Sequence, residues 1–319
     1  MNRRNFLKNS GMALLGAPLL KSNFFIGGNK VPLKIGYLPI TDHLLMIASA
    51  RETLKDVEIQ PVKFSSWAEN AEALKAGAID AAFLLTPMGL TLRQKGVPIK
   101  AVLLGHHNGS VITVTNNGDI NKIEDLKGKT IAIPSPFSTH NILLRKILAE
   151  KGIDATRDVK IIDMPPPEMV VALSTGRIHG FIVAEPFGAQ AEDRKVGKIL
   201  VLSKDIWPNH ICCVLNVSEK VITSYPEAVQ ETVSGMIRTA AFIESNPAQA
   251  AKESVKVLGQ KPEIIEKVLT SPKDRITFQN LVPSRADFEA TQSYMVSFGL
   301  AKEKVDLAAY LDTKFAERG

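Results

Sequence analysis

Ala73-Leu74-Lys75-Ala76-Gly77-Ala78-Ile79, closed by Pro87, returns ninety-nine positions later as Ala172-Leu173-Ser174-Thr175-Gly176-Arg177-Ile178, closed by Pro186. Five identities at one offset mark a duplicated unit. Each copy reads as a helix end, a Gly C-cap and an apolar run of strand length, over 79–85 and 178–183. The duplication extends backwards. Leu33-Lys34-Ile35-Gly36-Tyr37-Leu38 leads into Thr41-Asp42-His43, and Thr130-Ile131-Ala132-Ile133 leads into Ser138-Thr139-His140. Thr41, Asp42, Ser138 and Thr139 are N-cap residue types, so both turns are expected to open helices. Further strands are predicted at 57–64 and 159–162. Each half is then β-α-β-α-β, an α/β pattern that favours two mainly parallel sheets with right-handed crossovers. Ligands of such sheets bind at the carboxyl ends of the strands, so two facing lobes make one cleft.

Length agrees with two lobes, because 319 residues exceed the ~250–300 at which single cores stop growing. Core material is ample, with 45% of the chain hydrophobic. The net charge of +6 comes almost wholly from Arg3, Arg4, Lys8, Lys21 and Lys30, since residues 31–319 carry 34 basic and 33 acidic side chains. A body so balanced has no polyanion-binding charge, and nucleic acid is not an expected partner. At the N-terminus, Arg3-Arg4-Asn5-Phe6-Leu7-Lys8 precedes a ten-residue apolar run at 11–20. A twin arginine before a short apolar segment is an export address, and the run is too short for a stable bilayer span. Export by the twin-arginine route to a periplasmic or extracytoplasmic location is expected. No clean small-x-small cleavage site follows, so residues 1–30 are read as an export signal or, uncleaved, a tether.

The two cysteines, Cys212 and Cys213, are adjacent, which rules out an ordinary stapling disulfide. They read either as small buried residues or as thiols lining a pocket. Between the repeats, a strand at 99–104, the polar break Gly105-His106-His107-Asn108-Gly109 and a strand at 110–115 suggest a crossing between lobes. Ile206-Trp207-Pro208-Asn209-His210 suggests the return crossing, before a strand at 211–217. Lobe 1 is therefore assigned residues 31–107 and 211–319, and lobe 2 residues 108–210. The helical pattern after Ser218 is expected to pack back on lobe 1. Two crossings make a two-strand hinge, and a hinge permits closure.

Ser66-Trp67, Gly77-x-Ile79-Asp80, Pro87-Met88, Ser138-Thr139-His140, Pro165-Pro166-Pro167-Glu168-Met169-Val170, Gly176-Arg177-Ile178 and Glu185-Pro186 together resemble the nitrate and bicarbonate branch of ABC-importer substrate-binding proteins. That branch belongs to the wider nitrate, sulfonate and taurine receptor family, and the similarity covers nearly all of residues 31–250. The resemblance implies a type II periplasmic-binding-protein fold, a small-molecule ligand, an ABC permease as partner, a monomer, no cofactor and no catalysis. In those receptors a Trp, a His after Thr and a Lys contact the anion. Trp67 and His140 match the first two, and Cys213 stands at the Lys position. Losing that fixed cation disfavours nitrate, because a buried anion needs positive charge and hydrogen bonds. His140 or His210 could supply the charge on protonation.

The candidate ligand-binding residues are Thr41, Asp42, Trp67, Thr86, His107, Thr139, His140, Glu185, His210 and Cys213. Each also has a structural reading: Trp67 as core, Thr41 and Asp42 as helix caps, His107 and His210 as hinge hydrogen-bonders, Glu185 as an inter-lobe contact. His43, His107, His140 and His210 raise a metal reading, but no His-x-x-x-His or Cys-x-x-Cys spacing supports it, and no metal site is assigned. The enzymatic alternative is a hydroxymethylpyrimidine synthase of thiamine biosynthesis, which shares the implied fold and has a Cys-rich segment similar to Cys212-Cys213.

Overall fold

A computed structural model describes residues 30–319. The export segment therefore lies, but for Lys30, outside the described residues. The first repeat folds into β1 (Val31–Tyr37), β2 (Val57–Lys63), β3 (Ala81–Leu85) and β4 (Ile99–Leu104). The chain crosses through a two-residue strand, β5 (His107–Asn108), into β6 (Ser110–Thr115). The second repeat follows as β7 (Thr130–Ile133), β8 (Lys160–Asp163), β9 (Gly180–Ala184) and β10 (Gly197–Leu202). The return crossing leads to β11 (Cys213–Ser218), and a short β12 (Ile276–Thr277) pairs with β5. β3 and β9 are buried at every position, as strands covered on both faces must be.

Two five-stranded sheets result, ordered β2-β1-β3-β11-β4 and β10-β6-β9-β7-β8. Reading the second from its other edge gives the same sequence of roles, so the duplication is topologically complete. In each sheet the repeat strands run parallel, and the strand that follows a crossing lies antiparallel between the third and fourth. A large apolar core runs from Ile35, Phe83 and Val214 of the first sheet to Phe181 and Val183 of the second; a smaller one around Ile112, Ile131, Leu143 and Ile182 fills the second sheet's other face.

The helix Trp67–Lys75 starts with the Ser66 side chain accepting from the Glu69 N–H at 3.2 Å, and the helix Thr139–Glu150 with Ser138 accepting from Asn141 N–H at 3.1 Å. Gly77 (φ +71°) and Gly176 (φ +73°) end the paired helices in the left-handed region. Their N–H groups donate to Leu74 and Leu173, and the following N–H groups to Ala73 and Ala172, the pairing that closes orphan helix carbonyls.

One expectation is corrected. Thr41 and Asp42 cap nothing: the segment Thr41–Ile47 is a 3-10 helix whose N-cap is Ile40, with no side-chain cap bond. Pro226–Ser245 and Pro247–Leu258 pack on the first lobe, and Pro262–Thr270 packs chiefly on Pro247–Leu258 while bridging to the second-lobe helix Phe187–Asp193, with Lys261–Asp193 at 3.1 Å and Lys267–Glu192 at 3.0 Å. Among the described residues no helix is long and apolar enough to cross a membrane.

A Cβ at Gly77 or Gly176 would meet nothing within 4 Å, so the backbone alone resists substitution. Gly77→Ala and Gly176→Ala should each cost ~1–2 kcal/mol, and the two losses should add because the sites are in different lobes. Urea unfolding of both single variants and the double variant checks this; an unchanged midpoint would contradict the duplicated cap.

Candidate functional site

The carboxyl ends of both sheets and both crossings converge on one group of buried polar side chains. β1 leads into Thr41, Asp42 and His43; β3 ends at Thr86; β7 leads through Ser138 into Thr139 and His140; β9 ends at Glu185. The first crossing contributes His106, and the second His210, Cys212 and Cys213. All of these except His210 are fully buried, and His210 is 2% exposed.

At its centre, Asp42 Oδ2 lies 3.0 Å from His106 Nε2. One donor atom from each of Asp42, His106, Cys212 and Cys213 falls within 4.8 Å of all the others. The cysteines are free thiols. His140 Nε2 meets Ser110 Oγ at 3.0 Å and Cys212 Sγ at 4.0 Å. Trp67 borders the group, its ring 5.9 Å from His140 and 6.1 Å from His43, and His43 stacks on Phe83 at 5.2 Å.

Many polar atoms here have no aligned hydrogen-bond partner: Thr41 Oγ1, both Asp42 oxygens, both His106 nitrogens, His43 Nε2, His140 Nδ1, His210 Nε2 and Trp67 Nε1. Each such atom costs about 1–3 kcal/mol when buried unpaired. A cluster of them in the centre of a well-packed chain is arranged for something else to fill. Two tautomers follow from the bonds that are made. Leu38 N–H donates to His43 Nδ1 at 2.8 Å, leaving a proton on Nε2, whereas His210 Nδ1 donates to the Trp207 carbonyl at 2.8 Å, leaving a lone pair on Nε2.

Burial dominates the titration of these groups. It pushes the Asp42 carboxyl up to about 7, with His106 pulling the other way. Burial disfavours charge on His106 too, but the Asp42 carboxylate and the adjacent Cys212 outweigh it and raise the ring to about 10. The pair thus retains a proton, held chiefly on His106. Burial lowers His43 to about 3, helped by the charge on His106, and His210 to about 4. His210 is therefore not the substitute cation that the missing Lys suggested. Burial raises the Cys212 thiol, but the neighbouring Cys213 thiol, His140 and His106 together bring it well below the ordinary range; Cys213 is driven up by burial and by Cys212.

The ten candidates separate by what their polar atoms already do. Asp42, Trp67, His140, His210 and Cys213 face the enclosed group. Thr41 contributes an unpartnered hydroxyl, while its N–H donates to the Glu185 carbonyl at 2.8 Å across the lobes. Thr86 Oγ1 donates to Cys212 O at 3.0 Å, and Thr139 Oγ1 reaches Ile211 O at 3.5 Å; both hold the second crossing in place. His107 is committed to the hinge, its ring nitrogens 3.0 Å from Asn209 O and 3.2 Å from Asn280 O. Glu185 binds the Arg275 guanidinium and accepts from Ala189 N–H at 3.0 Å, so its carboxylate joins the second sheet to the C-terminal segment. His106 was missed, and His43 and Cys212, weighed as a metal donor and a pocket-lining thiol, were not among the ten. Alternation along an extended crossing could have found His106, since adjacent residues point to opposite sides, but which of His106 and His107 faces inward depends on pairing absent from the local sequence.

Residues 27–259 match the NMT1-like family. The nitrate import ATP-binding protein NrtC of Synechocystis sp. PCC 6803 is 28% identical over 243 residues, covering 68% of this chain and 36% of that protein. The chain thus spans about a third of the length of the first curated relatives it matches. A ligand-binding component of an ABC-type import system from Staphylococcus aureus, solved with zinc bound, superposes with a TM-score of 0.83 at 25% identity, over 90% of this chain and 98% of that one. The periplasmic nitrate-binding protein NrtA of Synechocystis PCC 6803 superposes with a TM-score of 0.82 over 90% and 88% of the chains, at 18% identity, a likeness of fold. The architecture is that of the periplasmic binding proteins. The thiamine-synthesis alternative finds no support in these relatives, which are transport components.

Glu185 and Arg275 are 0% and 3% exposed in their side chains. Removing one partner of such a pair strands a buried charge, so Arg275→Met should cost about 3–5 kcal/mol. Adding Glu185→Gln should recover part of that loss. Thermal and urea unfolding of the three variants tests the coupling, and strictly additive losses would contradict it.

Proposed function

The chain belongs to the NMT1-like family, and from that premise we propose that it is the solute-binding component of an ABC importer. It acts as an extracytoplasmic monomer that closes two lobes on one small species and hands it to a membrane permease. The observation that carries this reading is the enclosed set of unpartnered polar atoms at the facing carboxyl ends of two sheets. Its relatives' names, a nitrate importer subunit and a ligand-binding import component, point the same way.

The lobes are residues 31–107 with 211–319 and residues 108–210, a division supported by sheet membership. The moving parts are the two crossings, because only they join the sheets through the chain. Arg3-Arg4-Asn5-Phe6-Leu7-Lys8 and the following apolar run direct export through the twin-arginine route, with a membrane tether where the segment stays uncleaved.

Nitrate is not the favoured cargo. The buried carboxylate of Asp42 lies 3.0 Å from His106, and the charge on that ring is already matched by it. A second negative charge there would be desolvated without compensation.

Native mass spectrometry of the purified protein should show one small species bound per chain, and its removal should enlarge the particle in small-angle scattering. Reloading at a hundred times the dissociation constant should restore ~2.7 kcal/mol of stability. An unchanged radius on removal and reloading would overturn the closing receptor. Trp67→Ala and His140→Ala should each weaken binding of that species about thirtyfold, corresponding to ~2 kcal/mol; calorimetric affinities within twofold of wild type would mean that the cleft lies elsewhere. Residues 1–30 fused to a reporter should direct its export, and replacing Arg3 and Arg4 by Lys should abolish it.

A further inference from the structure

Resting on the receptor reading, we propose that Asp42, His106, Cys212 and Cys213 are a binding site for a thiophilic transition-metal ion of the Zn²⁺ class, and that this ion is the cargo of the cleft. Four donors of mixed type, two sulfurs, a nitrogen and an oxygen, lie within 4.8 Å of one another. A tetrahedral ion with bonds of about 2.0–2.3 Å sets its ligands roughly 3.3–3.8 Å apart. The widest pair needs to close by about 1 Å, a side-chain adjustment. The vicinal cysteines are unoxidised and fully buried.

A second observation points to a guest. Both carboxylate oxygens of Asp42 and both ring nitrogens of His106 lack an aligned hydrogen-bond partner. Gly109 lets the backbone of the first crossing pack closely against both side chains, since a Cβ there would stand 2.8 Å from Asp42 Oδ1 and 3.1 Å from His106 Nδ1. At φ +88° the position also suits glycine on backbone grounds.

Donor chemistry selects the ion. Thiolate and imidazole prefer zinc and its soft neighbours, whereas Mg²⁺ and Ca²⁺ require sets of oxygens. The donors arise on three segments, Asp42 after β1, His106 on the first crossing and the cysteines on the second. An ion bound by all four displaces the protons of His106 and of the two thiols to solvent and ties both crossings to the first lobe. Cys212 also lies 4.0 Å from His140 of the second lobe, so binding is coupled to the closed arrangement, and opening at the crossings is the route of entry and release.

The test uses the full chain, reduced and stripped with a chelator, titrated with ZnCl₂ against a chromophoric competitor and separately with Co²⁺. Wild type should take up one equivalent of Zn²⁺, and its Co²⁺ form should show thiolate charge-transfer absorption. Cys212→Ser with Cys213→Ser should weaken Zn²⁺ at least about a hundredfold, and His106→Gln should weaken it markedly; outer-shell losses alone reach 10–100-fold. Where the double variant does not fold by circular dichroism, loss of the Co²⁺ band in Cys212→Ala decides. Absence of stoichiometric Zn²⁺, or an affinity untouched by the folded variants, overturns the site. Zn²⁺ that leaves only on unfolding overturns its role as cargo. Nitrate and methanesulfonate are titrated into the same metal-free protein: Trp67-dependent binding of either without Zn²⁺ leaves the receptor standing and removes the metal, and a wild type that compacts with none of the three probes counts against both.

Discussion

Each sheet is completed by a strand delivered from the other side of the molecule. β6 enters the second sheet between β9 and β10 after the first crossing, and β11 enters the first between β3 and β4 after the second. Because these strands are central, neither sheet can be fully hydrogen-bonded until the chain has crossed, and an unpaired central strand would leave buried backbone groups unsatisfied. The crossings are thus held at both ends by ladders that cannot slip without turning every side chain to the wrong face. Between the ladders lie residues 105–109 and 207–212, which also bond to each other through Asn108 N–H and His210 O. The same constraint delivers His106 and the two cysteines to the place where the sheets face each other.

Around that place the chain divides its buried polar groups in two. Thr86, Thr139, His107, Glu185 and Arg275 spend their hydrogen bonds on backbone carbonyls or on one another. They fix the crossings and attach the C-terminal segment. Asp42, His43, His106, His140 and His210 each retain an atom without a partner. Single unpartnered atoms also occur away from the centre, at Asn70, Thr113, Gln230, Thr239 and Arg275, but they are concentrated at the centre, where a ligand would relieve their cost.

Charge at the centre departs from the pattern of an anion receptor. His210 does not replace the missing Lys, since burial holds it far below neutrality. A cation is present on His106, but it exists because Asp42 is beside it. The site has no unmatched positive charge for an anion and is rich in soft donors, which favours a metal ion that can displace the His106 and thiol protons and take imidazole and thiolate as ligands.

Much of the fold was legible in local sequence because its determinants are local. Gly77 and Gly176 need no tertiary partner to end a helix in the left-handed region, Ser138 caps through its own next turn, and the apolar runs at 81–85 and 180–184 are too continuous to be surface strands. Duplication then supplied the second sheet. Trp67, His140 and Cys213 were reached through family resemblance, and Asp42 through its place after a strand. The tertiary structure alone decided that Thr41 and Asp42 do not cap, that the helix Pro262–Thr270 also reaches the second-lobe helix Phe187–Asp193, that His106 rather than His107 turns inward, and that donors from positions 42, 106 and 212–213 meet. Those outcomes depend on strand register and on contacts between segments distant in the chain, and no spacing within any one segment encodes them.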